Sequence, residues 1–281
     1  MVEITDLYIY PVKSLRGIPV SSSLTSSRGF KYDREWMITD DDYFFVTQRQ
    51  IEKMATISVL IDDDFLTLQS SKEHEHKISL KKQSEDIVNV TVWNDVCGAI
   101  DEGDEVSYWL TKVLGGYNKK PLRLVRFAEF HRRKVPSKYL YEEEAESAFS
   151  DQFPYLIVSW SSLNVLNSEL ECAGQSNIDI SRFRPNIVVK GVEDIEKKQP
   201  QNLYSINKKY FFGLRKPCKR CKITTIDQTT GQIANPKEPL ATLTKLRFSS
   251  KKEGAFFGQN ATFSDSNSAL ISVGDKFKMG V

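Results

Sequence analysis

A run of short β-like segments in the first 115 residues limits the fold of this chain more than any other feature of its sequence. These segments are rich in β-branched and aromatic residues, and acidic or serine-rich turns separate them. They cover residues 2–10, 35–39, 44–47, 55–61, 65–68, 77–80 and 87–92. Strands of this length, repeated about every 8–12 residues, are typical of a barrel or a sandwich. The sequence therefore predicts a β-rich N-terminal part.

Two helices and further strands are predicted after residue 100. Residues 102–113 place apolar side chains on one helical face before a Gly-Gly stop, and residues 161–171 repeat that spacing with Ser161 as the predicted N-cap. The further strands are predicted at 123–127, 155–158, 186–189, 209–213, 223–226 and 269–273. The basic and acidic clusters of 128–147 predict a solvated connector. The expected fold class is therefore α+β and β-rich, with a few helices.

Composition and charge exclude several classes of protein. A chain of 281 residues with a net charge of only +2 has no overall field that would attract nucleic acid. No apolar run approaches the about 20 residues of a membrane-spanning helix, and the N-terminus alternates like a strand, unlike a signal peptide. We therefore expect a soluble intracellular protein, cytoplasmic with mitochondrial association as the alternative, that has no nucleic-acid platform and no membrane segment.

Cys218 and Cys221 form the one closely spaced pair among four cysteines, which are too few for a disulfide scaffold. The cations that surround this pair are Lys216, Lys219, Arg220 and Lys222. Nearby positive charge stabilises a thiolate over a thiol, so one of the two sulfurs is a candidate nucleophile or soft-metal ligand. The β-branched run at 223–226 predicts a strand that fixes this loop from behind.

Four explanations of the cysteine pair stay open on spacing alone. A structural zinc site needs four ligands, and the sequence has no second pair and no histidine at a matching spacing. A thioredoxin-like dithiol usually stands between a strand and a helix, whereas a strand is predicted after this pair. Two core cysteines beneath a basic loop are the structural explanation. A single thiolate that holds a soft metal or an organometallic cofactor fits the cationic surroundings best.

Other cations lie next to predicted strands. Lys13 and Ser14 follow the first strand, Arg34 precedes the second, and Arg184 precedes the strand at 186–189. A guanidinium binds phosphate through two parallel hydrogen bonds, and lysine with serine completes an anion pocket. Taken singly, each of these residues is more typical of a solvated or ion-paired surface position. The spacing of these residues along the chain does not show whether the fold brings them into one site.

Ordered motifs along essentially the whole chain resemble one protein family. The N-terminal motifs are Tyr-Pro-Val-Lys-Ser-Leu-Arg-Gly at 10–17, Asp-Arg-Glu-Trp-Met at 33–37, Thr-Gln-Arg at 47–49 and Trp-Asn-Asp at 93–95. The C-terminal motifs lie at 153–159, 182–189 and 217–227. The chain resembles the MOSC proteins that carry an N-terminal β-barrel partner domain, in particular the mitochondrial amidoxime-reducing component and the bacterial YcbX-type proteins. The resemblance implies a MOSC N-terminal β-barrel domain at 1–118 and a MOSC β-barrel domain at 119–281.

This resemblance implies a molybdenum cofactor, in which the metal is held by the dithiolene of a phosphorylated pterin, by oxo groups and by one cysteine. The matching cysteine is Cys221, which spacing alone does not choose over Cys218. The matching positions for the pterin and its phosphate are Lys13, Ser14, Arg34 and Arg184, and those that line the pocket are Asp151, Asn186, Lys219 and Arg220. The site is then expected where the two domains meet, since clefts between domains commonly bind small molecules.

The resemblance also implies an oxidoreductase that removes the oxygen of N-hydroxylated compounds such as amidoximes, hydroxylamines and N-hydroxylated bases. No haem, flavin or iron–sulfur motif is evident, so the electrons are expected from a separate donor, either cytochrome b5 or a ferredoxin or flavin reductase system. The alternative function is a molybdenum-cofactor or sulfur carrier without redox turnover. Gln152, Phe153 and Asn260 depart from the residues common in the relatives, and these departures concern the substrate.

Overall fold

The computed structural model describes residues 1–81, 87–141, 143–197, 201–207, 209–248, 254–264 and 268–280. The strands are β1 Val2–Ile9, β2 Ile18–Val20, β3 Ser22–Ser26, β4 Gly29–Phe30, β5 Trp36–Asp40, β6 Ser58–Ile61, β7 Phe65–Gln69, β8 His76–Ser79, β9 Ile87–Val92, β10 Asp95–Asp101, β11 Leu122–Phe127, β12 Tyr155–Ser159, β13 Ile187–Lys190, β14 Gln201–Ser205, β15 Phe211–Lys219, β16 Phe256–Ser264, β17 Leu270–Ser272 and β18 Lys276–Gly280. The α-helices are α1 Asp104–Leu114, α2 Trp160–Cys172 and α3 Leu240–Leu246. Within these ranges, no helix has the length and apolar character needed to cross a membrane. The predicted β-rich fold with few helices is confirmed.

Seven strands close into a barrel in the order β13-β12-β16-β15-β14-β18-β1, and β1 pairs back onto β13. The pairing between β12 and β13 is parallel, and the other neighbours in the ring are antiparallel. Closure gives each of these strands two neighbours and leaves no free edge in the ring. Because β1 comes from the start of the chain and its partners from the second half, the loop after β1 lies beside the C-terminal strands.

A second β region in the N-terminal half consists of a four-stranded sheet, ordered β5-β11-β10-β9, and a three-stranded sheet, ordered β6-β7-β8. The apolar face of α1 packs in the same core as β11, through the buried residues Val106, Trp109, Leu110, Val113, Leu122 and Leu124. Gly115 ends α1 with a φ of 93°, which glycine adopts without a Cβ clash. The helix predicted at 102–113 is therefore confirmed, with ends shifted by one or two residues.

The sequence predicts Ser161 as the N-cap of α2, and this prediction is wrong. The N-cap is Ser159. The Oγ of Ser159 accepts a hydrogen bond from the backbone N–H of Ser162 at 3.1 Å. The predicted buried face is present, and it consists of Leu163, Leu166 and Leu170. Since Ser159 is also the last residue of β12, the chain passes from the barrel strand directly into the helix.

The strand predicted at 223–226 is wrong, and this error bears on the cysteine pair. The segment Lys222–Thr225 forms a 3-10 turn instead. The hydroxyls of Thr224 and Thr225 donate to backbone carbonyl oxygens three residues earlier, each at 2.9 Å. Such local bonds from threonine compete with strand pairing. The extended segment lies before the pair and not after it, because Cys218 belongs to β15.

Two other strand predictions are wrong in part, and several short strands were not predicted. Residues 44–47 contribute isolated bridges at Phe44 and Phe45, and the first two residues of 55–61 lie in the 3-10 turn Glu52–Thr56. The strands without a sequence prediction are β2, β3, β4, β10, β14, β16 and β18. The serine-rich β3 is extended because it pairs with β17 from the other end of the chain, so tertiary pairing outweighs its weak local preference.

The solvated connector predicted at 128–147 is wrong in part, because several of its residues are buried, among them Arg133 and Glu146, and because Glu143 matters for stability. Glu143 forms an ion pair with Arg215 of β15, and these side chains are 3% and 2% exposed. Thr262 of β16 also donates to Glu143 at 2.8 Å, and Arg215 donates to the Oδ1 of Asn202 of β14 at 2.9 Å. Glu143 therefore fastens the connector to β15 and β16, and Arg215 links β15 to β14.

Candidate functional site

One cleft collects all nine residues that the sequence analysis names as candidate site residues. It encloses about 850 Å³ between protein atoms, part of it open to solvent. The nine residues are Lys13, Ser14, Arg34, Asp151, Arg184, Asn186, Lys219, Arg220 and Cys221. They come from the loop after β1, the turn before β5, the loops before β12 and β13, and the end of β15. Gln152, Phe153 and Asn260 line the same cleft, so the departures from the relatives' residues lie at its wall.

The backbone of the cleft is strained at three of these residues. Ser14, Arg34 and Arg184 have φ values of 69°, 52° and 54°, in the left-handed region that costs a residue with a side chain about 1–3 kcal/mol. The N–H of Arg34 donates to the carbonyl oxygen of Tyr10 at 2.8 Å, which helps to hold one of these conformations. Strain at three residues from different loops is typical of a functional site, because the surrounding structure has to maintain it.

Arg34 and Arg184 form a cationic wall of the cleft. Their guanidinium carbons lie 4.2 and 4.3 Å from the ring centroid of buried Tyr10, so one aromatic ring holds both cations. Arg34 also pairs with Asp33 at 2.6 Å and donates to the Oδ1 of Asn186 at 3.0 Å. Burial lowers the pKa of Arg184 to about 10, which leaves its side chain protonated at neutral pH. The wall therefore presents two fixed positive charges.

Buried polar atoms without a partner are concentrated in this cleft. Among the residues that the structure describes, four buried side-chain polar atoms lack a hydrogen-bond partner, and three of them belong to residues that line the cleft. These three are the Oγ of Ser150, the Nη2 of Arg184 and the Nε of Arg220. An unsatisfied buried donor costs roughly 1–3 kcal/mol. An anionic ligand with several oxygen atoms satisfies such donors, so the residues present fit a phosphorylated ligand.

Lys13 and Asp151 form an ion pair in the lining of the cleft. The Nζ of Lys13 lies 2.5 Å from the Oδ1 of Asp151 and donates to the carbonyl oxygen of Phe149 at 2.8 Å. The side chain of Asp151 stays more than half exposed; the protein atoms around its carboxyl displace some water and alone would raise its pKa, but Lys13 and Arg49 outweigh this effect and hold that pKa well below its usual range. Burial lowers the pKa of Lys13, and Asp151 offsets part of this effect. Asp151 is therefore a carboxylate at neutral pH and acts as an acceptor.

Each sulfur of the cysteine pair contacts an arginine. Arg49 donates from Nη2 to the Sγ of Cys221 at 3.1 Å, and Arg220 donates from Nη1 to the Sγ of Cys218 at 2.9 Å. Arg49 was missed as a candidate site residue in the sequence analysis, although it belongs to the Thr-Gln-Arg motif at 47–49. It lies 172 residues from Cys221 along the chain, and no local pattern reports a contact at that separation.

A buried pair of amides connects the walls of the cleft. Gln48 and Gln228 exchange two hydrogen bonds, at 3.0 and 2.9 Å. Gln48 also donates to the carbonyl oxygen of Ser14 at 2.8 Å, and the Oε1 of Gln228 accepts from the Nη1 of Arg184 at 3.3 Å. The pair thus ties the loop after β1 to the turn that carries Arg184. Its geometry identifies both glutamines as positioning residues.

Replacing Gln48 with methionine is expected to lower the free energy of unfolding by about 1–3 kcal/mol, because buried partners are left unsatisfied. In the Gln48→Met/Gln228→Met double variant, we expect the free energy of unfolding to fall by less than the sum of the decreases in the two single variants. Denaturant unfolding measures both quantities, with Gln69→Met as the control, since Gln69 bonds to Glu75 at the surface. A Gln48→Met variant within about 0.5 kcal/mol of wild type, the usual range for surface changes, would contradict the assignment.

Comparison with known proteins agrees with the family resemblance seen in the sequence. Residues 1–117 match the MOSC N-terminal beta barrel domain, and residues 144–278 match the MOSC domain. Mitochondrial amidoxime-reducing component 1 of Homo sapiens is 31% identical over 285 residues, which cover 97% of this chain and 81% of the relative. Mitochondrial amidoxime reducing component 2 of Homo sapiens is 29% identical, with 92% and 77% covered. Molybdenum cofactor sulfurase of Oryza sativa subsp. japonica is 28% identical over 94% of this chain but only 33% of its own length. The chain therefore belongs to the family of MOSC proteins with an N-terminal β-barrel domain that includes the mitochondrial amidoxime-reducing components.

Proposed function

We propose that this protein is a molybdenum-cofactor-dependent oxidoreductase that reduces N-hydroxylated compounds. The observation that carries the proposal is the concentration of unpartnered buried donors beside Cys221 in one cationic cleft. An anionic, phosphorylated cofactor with a metal that accepts thiolate matches both features. The names of the relatives, amidoxime-reducing components and a molybdenum cofactor sulfurase, support the same assignment.

The roles of the cleft residues follow from their chemistry. Cys221 supplies the protein's one sulfur ligand to the metal, while Arg34, Arg184, Lys13 and Ser14 bind the pterin and its phosphate. Asp151, Asn186 and the backbone of Lys219 and Arg220 line the remaining wall of the cofactor pocket. When bound, the cofactor supplies the two-electron removal of oxygen from the N–O bond. The donor hydrogen bond from Arg49 to the sulfur of Cys221 at 3.1 Å draws charge from that ligand and tunes the metal.

The substrate is held by groups that stay accessible in the cleft. The side chain of Asp151 is 58% exposed, and as a carboxylate it accepts hydrogen bonds from the N–H groups of an amidoxime. The overall reaction of an amidoxime consumes two electrons and two protons, and it releases the amidine and one water. The protons reach the site from solvent, because part of the cleft is open. The electrons come from a separate donor, cytochrome b5 or a ferredoxin or flavin reductase system.

A second candidate function is a cofactor or sulfur carrier that does not turn over. It is favoured by the likeness to a molybdenum cofactor sulfurase over 94% of this chain. In that case the same cleft holds the cofactor, and Cys221 binds it or carries a persulfide.

One experiment tests the proposed function against the carrier. The protein is purified from a host that makes the cofactor, its molybdenum and pterin contents are measured, and acetamidoxime is added anaerobically to the reduced protein. We expect stoichiometric molybdenum and pterin, and stoichiometric conversion of the amidoxime to the amidine with reoxidation of the metal. Bound cofactor without amidine formation would support the carrier. Protein that neither retains cofactor nor forms amidine would contradict both functions.

A further inference from the structure

Trp93 lies at the tip of the hairpin between β9 and β10 in an unfavourable conformation. It is the first of the two residues that connect these strands, and its φ is 57°. Turns that need a positive φ at this place strongly favour glycine, asparagine or aspartate, and a bulky residue there is an outlier. The residue is also 43% exposed, so burial does not offset the strain. An exposed ring in a strained backbone is typical of a residue kept for binding.

The indole of Trp93 is held in place by groups of the cofactor cleft. Its Nε1 donates to the Oδ1 of Asp151 at 3.1 Å. The guanidinium carbon of Arg49 lies 4.8 Å from the indole centroid, and the ring of Phe45 is 5.0 Å away. Arg49 is the same residue that donates to the sulfur of Cys221. Two contacts therefore link this exposed ring directly to the site where the chemistry is proposed.

A second cavity begins where Trp93 meets the cleft. It encloses about 820 Å³, part of it open to solvent, and it shares Asp151 and Gln152 with the cofactor cleft. Trp93, Asn94 and Lys134 are further residues of its wall. Within the described part of the chain, Lys134 is exposed and forms no ion pair, so its ammonium group is free to meet an acceptor. The wall of the cavity thus offers both an aromatic surface and a cation.

Another wall of the cavity is fixed by Arg133, which is 8% exposed. It pairs with Asp95 at 2.6 Å and donates to the carbonyl oxygen of Asp151 at 2.8 Å. These bonds join the hairpin tip to the loop before β12, so the cavity keeps its shape. The wall consists mostly of charged and polar residues, and Trp93 is the aromatic residue among them, so a planar molecule bound here would stack on the indole and form hydrogen bonds with its neighbours.

We infer that the second cavity is a substrate subsite that selects planar aromatic amidoximes through Trp93. The aromatic ring of the substrate stacks on the indole, and its N-hydroxylated group reaches past Asp151 into the cleft beside Cys221. Offset stacking of two rings contributes about 0.5–1.5 kcal/mol beyond area burial. Polar substituents at the far end of the ring meet Lys134. This inference rests on the proposed function for the identity of the reacting group, but the binding preference does not need turnover.

The test compares two amidoximes that differ in their ring, benzamidoxime and acetamidoxime. Titration calorimetry on the purified holoprotein gives both dissociation constants for wild type, Trp93→Ala and Trp93→Phe. Proton–nitrogen NMR follows the indole N–H signal that the Trp93→Phe variant lacks. Tyr108→Ala is the control, because Tyr108 is an exposed aromatic residue on α1 that lines neither cavity.

We expect wild type and Tyr108→Ala to bind benzamidoxime more tightly than acetamidoxime, and Trp93→Ala to lose roughly 3- to 10-fold in benzamidoxime affinity alone. Trp93→Phe should retain most of the preference, and benzamidoxime should shift the Trp93 signal. Equal weakening of both compounds in Trp93→Ala, or no preference in wild type, would overturn the subsite. If benzamidoxime binds more tightly but neither compound is reduced, the proposed function is contradicted and the subsite is supported. If both compounds are reduced but bind with equal affinity, the subsite is contradicted and the proposed function is supported.

Discussion

Changing Cys221 to serine is expected to lower amidoxime reduction by more than about 100-fold and to remove most of the bound molybdenum. A hydroxyl is a poor ligand for a soft metal, whereas a thiolate is a strong one. Even the outer hydrogen-bond partners of metal ligands are worth about 10–100-fold in affinity or activity, so the ligand itself should be worth more. The fold should survive, because Cys221 is only partly buried at the start of a short turn, and the free energy of unfolding should change by less than about 1 kcal/mol.

Cys218→Ser is the matched control for this prediction. Cys218 lies three positions earlier and lines the same cleft, and its sulfur contacts Arg220 instead of Arg49. It packs against the buried cluster that includes Leu243. We therefore expect Cys218→Ser to keep its molybdenum and to lose activity by no more than a few-fold. Equal losses in the two variants would contradict a single ligand and favour a site made by both thiols.

The largest expected loss of stability follows from Arg215→Met, which should lower the free energy of unfolding by about 3–5 kcal/mol. Arg215 and Glu143 are paired inside the protein, and removing one partner leaves an uncompensated buried charge. The double variant Arg215→Met/Glu143→Leu should regain most of that loss, since neither charge then remains. Denaturant unfolding of the three proteins measures this, with Lys190→Met as the control for an exposed pair to Glu3.

The contribution of this ion pair should also depend on pH. Burial alone would raise the pKa of Glu143, but Arg215 and the hydrogen bonds from Glu143 itself and Thr262 lower it below the ordinary value of 4.5. The folded state then binds this proton less tightly than the unfolded state, so the stabilisation is present above about pH 4.5 and is lost as the pH falls through the lowered pKa. The difference between wild type and Arg215→Met should therefore shrink in acid. A difference below about 1 kcal/mol at neutral pH would contradict the buried pair, because that is the range of exposed ion pairs.

Local patterns predicted those parts of the fold that local interactions determine. The helix at 102–113 is an example, because its apolar face and the glycines that end it all lie within fifteen consecutive residues. The run at 223–226 shows the limit of prediction from local sequence. Its β-branched residues favour a strand, but the hydroxyls of Thr224 and Thr225 form hydrogen bonds that close a turn. Glu143 looked solvated because its partner Arg215 lies 72 residues away.

The candidate site shows the same division. The residue types and positions of Lys13, Arg34 and Arg184 make them candidates for anion binding, but only the fold brings them to one cleft. The choice of Cys221 over Cys218 came from family resemblance and not from spacing. Arg49 escaped notice because nothing near residue 49 marks it as a neighbour of residue 221. The chemistry of each candidate side chain can thus be predicted from the local sequence. Whether these side chains lie in one site depends on pairings between strands that are distant in the chain, such as the one between β1 and β13.

X-ray absorption at the molybdenum edge tests the central claim most directly. The spectrum counts the sulfur atoms bound to the metal, first in wild-type holoprotein and then in Cys221→Ser reconstituted with cofactor. We expect one sulfur ligand fewer in Cys221→Ser than in wild type, and the wild-type number in Cys218→Ser. The same number of sulfur ligands in wild type and Cys221→Ser would contradict the claim.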